Sequence, residues 1–153
     1  MADLPECGLY VTRAPVAGVP AGRLVYFHNH GDPGPGVYLP SRWSGNRALF
    51  ENPGFTIAGP QDAAHLDALP MQGFFRVHKA FHCCDKQCPR FEEELLVQLG
   101  YDASGNALVF VPEIQEGHLG VPDRGTKVDR ATLTNLVRLK VPSGRAPVDR
   151  TMH

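Results

Sequence analysis

The chain has 153 residues, of which 42% are hydrophobic and 20% charged. That length suffices for one domain burying roughly 68–70% of its unfolded surface without cross-links, and the composition excludes a disordered or coiled-coil chain. A formal net charge of −1 gives no electrostatic ground for a nucleic acid or an anionic membrane as partner, and Gly 16 with Pro 14 cuts the chain too often for long helices.

The opening stretch, "MADLPECGLYVTRAPVAG", has no basic start followed by an apolar run, so it does not read as a secretory signal. No segment approaches the ~18 apolar residues of a membrane span. The expectation is a cytoplasmic protein with reduced thiols, in which four cysteines serve as metal ligands or reactive thiols more readily than as disulfides. Cys7 lies in this stretch.

Residues 23–30, "RLVYFHNH", predict a strand. Alternation sets Val25 and Phe27 on one face and Tyr26, His28 and His30 on the other. A rigid turn over residues 31–36 leads to a short strand near Val37 to Leu39. The following segment places Tyr38, Arg42 and Trp43 among Pro33, Pro35 and Pro40. Rigid aromatic and arginine anchors lose little entropy on docking, which makes these three candidates for binding another protein or a second copy of the chain. For Trp43 alone, plugging one end of the core is the competing expectation.

"QDAAHLDALP" predicts two helical turns ending before Pro70. "GFFRVHKAFHCC" alternates, with Phe75, Val77, Phe81 and Cys83 on one side and Arg76, His78, His82 and Cys84 on the other. Past it, Cys84 and Cys88 have a C-x3-C spacing that lets two thiolates reach one tetrahedral zinc. Pro89 predicts the start of a turn containing Glu92 to Glu94. Two β-rich runs, 95–101 and 107–114, form a hairpin around residues 102–106, with Leu95, Val97 and Leu99 on a buried face. The last strand is expected over 135–141, with Val137, Leu139 and Val141 inward and Arg138 and Lys140 outward. Residues 142–153 read as a tail, loose or partner-bound, after a single β domain over 1–141.

Short strands, frequent turns and one or two helical turns predict an all-β fold, a small antiparallel barrel or sandwich with long Gly/Pro-rich loops. The metal reading draws on Cys84, Cys88 and His82, with His28, His30 and Cys7 as distant donors. It describes a non-enzymatic module tied together by zinc and meeting a partner protein through its aromatic loop. Cys83, facing the core beside Phe81, reads as packing. No G-x-S-x-G, P-loop or G-x-G-x-x-G occurs, so no catalytic residue is assigned.

Two alternatives stand beside this reading. In "GRLVYFHNH", Gly22, His28 and His30 fit a G-x5-H-x-H spacing that resembles the start of the first cupin motif, which implies an iron- or manganese-binding β-barrel enzyme using the two histidines. The chain departs from that family at positions 34 and 35, where Gly34 and Pro35 stand in place of a glutamate ligand. The other alternative is a thiol redox protein, although no C-x-x-C is present.

Overall fold

A computed structural model describes residues 4–31, 34–84 and 89–142. Cys88 and the tail from residue 143 onward lie outside them. In chain order the strands are β1 (Gly8–Thr12), β2 (Leu24–His28), β3 (Gly36–Tyr38), β4 (Arg42–Ser44), β5 (Arg47–Leu49) and β6 (Phe55–Thr56). A single helical turn, α1 (Pro60–Ala63), precedes β7 (Leu66–Ala68), β8 (Gly73–Val77), β9 (Phe81–His82) and β10 (Arg90–Phe91). The remainder comprises β11 (Leu96–Tyr101), β12 (Ala107–Phe110), β13 (Glu113–Gln115), β14 (His118–Gly120), β15 (Thr126–Val128), a 3-10 turn (Arg130–Asn135) and β16 (Leu136–Arg138).

Two five-stranded antiparallel sheets carry the fold, ordered β6-β3-β2-β1-β7 and β15-β12-β11-β8-β16. Among the described residues neither sheet closes on itself, so the all-β expectation holds without a closed barrel. The sheets pack against each other through one core: Leu9, Val11 and Leu24 from the first meet Phe75, Val77, Val97, Leu99, Tyr101 and Val109 from the second. A separate cluster covers the other face of the first sheet, where Tyr10, Val25, Phe27 and Val37 pack on Val16, Val19, Ile57, Ala63 and Leu66. Period-2 pleating separates these sets, because neighbouring residues of a strand face opposite ways.

The alternation read from residues 75–84 is observed: Phe75, Val77, Phe81 and Cys83 are all buried. Other expectations shift. The run over 107–114 is not one strand, since the ladder with β11 ends at Phe110 and residues 113–115 pair with β14 instead; Pro112, which cannot donate to a ladder, stands at the break. The helix expected over 61–69 is confined to α1, and residues 66–68 join the first sheet as β7. Arg90 and Phe91 form β10 where a helical turn was expected. In β16 and just past it the expectation holds for Arg138 and Lys140, which are exposed, and for Leu139, which is half-buried, but not for Val137 and Val141. Leu136 pairs with the buried Val77, whereas Val137 pairs with Arg76 and is 40% exposed, and Val141 is 62% exposed.

Candidate metal centre

The antiparallel pairing of β1 with β2 sets Gly8 opposite Phe27. Extending that register by one residue brings Cys7 opposite His28, and His30 follows two positions on, so one pleat direction serves all three. Their ligand atoms lie within 4.8 Å of one another, the group among the described residues with the composition and spacing to hold a metal ion. Cys7 Sγ is 3.7 Å from His30 Nδ1. Donors around a tetrahedral zinc, at about 2.3 Å for sulfur and 2.0–2.1 Å for nitrogen, sit roughly 3.5 Å apart. Side-chain rotation of about 1 Å would therefore bring the three into register.

Asn29 organises the cluster from the centre of the H-N-H tripeptide. Its backbone N–H donates to Cys7 Sγ at 3.4 Å, and its side-chain amide donates to the Pro5 carbonyl at 3.2 Å. Its Oδ1 lies 2.9 Å from His30 Nδ1 and accepts from the Cys7 thiol at 3.4 Å. The same His30 Nδ1 can be held by Asn29 Oδ1 or ligate an ion beside Cys7 Sγ, but not both at once, so an ion bound through Nδ1 would replace the Asn29 contact. The Tyr10 hydroxyl donates to the Glu6 carbonyl at 2.6 Å, anchoring the segment that carries Cys7. Burial first, then the neighbouring Glu6 and Cys7, pushes the Tyr10 phenol above its ordinary range, so it stays a neutral donor.

His28 is the unusual member. Its ring sits among Tyr26, Tyr38 and His30 at centroid separations of 4.8, 5.5 and 5.4 Å. Its Nδ1 is buried and has no hydrogen-bond partner among the described residues. A buried ring nitrogen left unpaired costs about 1–3 kcal/mol, and a metal ion would satisfy it. Gly36, the register partner of His28, lets β3 approach β6 closely, because a Cβ there would come within 2.8 Å of the Phe55 carbonyl oxygen.

The other expected site residues are dispersed. β2 does not neighbour β8 or β9, which belong to other sheets, so the donors envisaged for Cys84 do not arrive from His28 and His30. His82 is half-buried on β9, Cys84 is half-buried against the main core, and neither belongs to the group formed by Cys7. The C-x3-C half of that expectation rests on Cys88, which lies outside the described residues. Cys83 is buried as expected but is disulfide-bonded, which differs from the all-reduced set read from the sequence. Tyr38 packs on His28, Arg42 donates to Glu51 at 3.0 and 3.3 Å, and Trp43 is 41% exposed instead of plugging the core. Asn29 is the residue the sequence reading passed over, although its place between two co-facial histidines was a signal.

This arrangement defines an all-β protein with a Cys/His/His group able to hold a metal ion. Comparison with known protein families, curated proteins and solved structures finds no match to the chain. No helix among the described residues is long and apolar enough to cross a membrane.

Proposed function

We propose that this chain is a zinc-binding β module in which Cys7, His28 and His30 hold one ion and tie the segment before β1 to the end of β2. The observation that carries the reading is the buried His28 Nδ1, unpartnered among the described residues, beside a free thiol and a second imidazole. One thiolate and two imidazoles are a soft-to-intermediate set, matched to zinc better than to magnesium or calcium. Three protein donors leave the fourth tetrahedral position for water or for a donor from a bound molecule, the coordination of zinc sites that polarise a ligand.

Purified protein is expected to retain about one zinc per chain by elemental analysis. Cobalt(II) put in its place should show a thiolate-to-metal charge-transfer band that Cys7→Ser abolishes. His28→Ala should lower affinity at least tenfold, and the intact protein should gain about 2.7 kcal/mol of stability at free zinc one hundred times Kd. Failure to take up zinc, or retention of the band in Cys7→Ser, removes the proposal. A second reading, the iron or manganese enzyme implied by the Gly22, His28 and His30 spacing, is favoured by the open fourth position. It predicts iron or manganese in the same elemental analysis, undiminished by Cys7→Ser.

A further inference from the structure

The second sheet has an outer face as well as a core face, and β4 with β5 fold over part of it. Gln98 and Gly100 on β11 stand opposite Phe110 and Leu108 on β12, all four on the outward pleat. The hairpin tip is fastened there: Gln98 Nε2 donates to the Gly45 carbonyl at 2.9 Å, and Asn46 Nδ2 donates to Gln98 Oε1 and to the Pro122 carbonyl, each at 2.9 Å. Gly100 permits the contact, because a Cβ there would lie 2.6 Å from the Asn46 carbonyl oxygen.

Beside this fastening the hairpin leaves a cleft of about 540 Å³, within the range of small-molecule sites. Trp43, Leu108 and Phe110 are among its apolar lining, and Asp102 and Asp123 are its charged members. Trp43 pairs with Ala48, which is buried, so its ring is on the inner face of the hairpin and is nevertheless 41% exposed. Its Nε1–H donates to the Tyr101 carbonyl at 2.8 Å. An indole held at its edge, with its face uncovered toward a cleft, is a preorganised platform.

The charge of the lining has one sign. Asp102 is fixed by its own turn, its Oδ1 accepting from the Ser104 and Asn106 backbone N–H groups and its Oδ2 from Asn106 Nδ2. Asp123 makes no hydrogen bond or ion pair among the described residues. Among the described residues no lysine or arginine lines the cleft; Lys127, opposite Leu108 in the register, lies outside the lining. Two carboxylates near an exposed indole attract a cation whose body is apolar, through direct charge and through the negative face of the ring.

We infer that this cleft binds a small organic cation, with an aromatic or alkyl body stacked on Trp43 over Leu108 and Phe110 and a protonated amine directed to Asp123 and Asp102. The site is separate from the metal group and does not depend on it.

The full chain is titrated with 2-phenylethylammonium, 2-phenylethanol and phenylacetate, three probes of one size and different charge. Binding is followed by the fluorescence of Trp43, the single tryptophan, and by the chemical shift of its indole N–H. The ammonium is expected to bind about five- to thirty-fold tighter than the alcohol, and phenylacetate weakest of the three. Asp123→Asn, at an exposed position, should weaken the ammonium about five-fold or more, leave the alcohol unchanged and preserve the melting temperature. Equal binding of the three probes, no binding of the ammonium at millimolar concentration, or an Asp123→Asn variant that binds it as tightly as the parent would overturn the inference.

Discussion

Tyr101 shows how one side chain links burial, hydrogen bonding and pH. Its ring is almost wholly buried in the main core, its hydroxyl donates to the Pro70 carbonyl at 2.7 Å, and its backbone carbonyl receives the Trp43 indole. Burial pushes its phenol far above the ordinary 10.0, with Arg130 pulling weakly the other way. The folded chain thus keeps a proton that the unfolded chain loses near pH 10. Above that pH the unfolded state binds fewer protons, so stability falls as pH rises, while below it the contribution is fully present. Tyr101→Phe should cost about 1–2 kcal/mol at pH 8, from the lost hydrogen bond and the stranded carbonyl. It should also flatten the decline between pH 10 and 11.5, as urea midpoints at both ends of that window would show. An alkaline decline as steep as the parent's would mean that other groups govern it.

At the scale of elements, the β4–β5 hairpin is attached to the second sheet by amide side chains as well as by packing. Gln72, buried just before β8, donates its Nε2–H to the Ala48 carbonyl at 2.8 Å and accepts the Ala48 N–H at 2.9 Å through Oε1. One side chain thereby completes both backbone groups of an inward residue on β5. Gln72→Ala would leave two buried backbone groups unpaired, an expected loss of about 2–3 kcal/mol in chemical denaturation. Gly100→Ala attacks the same attachment from the other strand, and the clash with the Asn46 carbonyl should cost about 1–3 kcal/mol. Surface ion pairs such as Arg42 with Glu51 are solvent-exposed on both sides, and removing one should change stability by less than about 1 kcal/mol.

Across the whole molecule, stability concentrates where the two sheets share a core. Val97, Leu99 and Val109 are buried on β11 and β12, so amides of these central strands should exchange with solvent most slowly. The β13–β14 hairpin is exposed throughout, its cross-strand pair Ile114 and Leu119 being 70% and 57% exposed. A two-stranded ribbon with no sheet behind it is marginal in water. Residues 113–120 should therefore exchange orders of magnitude faster than β11 in native-state hydrogen exchange, and equal protection would show that something covers them.

Much of the strand architecture was legible because burial on one face writes alternation into the sequence. Val25 and Phe27, Phe75 and Val77, and Val97 and Leu99 all point inward as their spacing requires, and the shared direction of His28 and His30 follows from the same period. Alternation failed at Val137 in β16, which the register with β8 sets opposite Arg76. It also gave no choice among the sulfurs. Pleating tells which way a side chain points within its own strand but not which distant strand lies alongside, since that depends on long-range pairing. Only the assembled first sheet, by laying β1 against β2, decided that Cys7 would meet the two histidines, and only the hairpin folded over the second sheet opened a cleft beside Trp43.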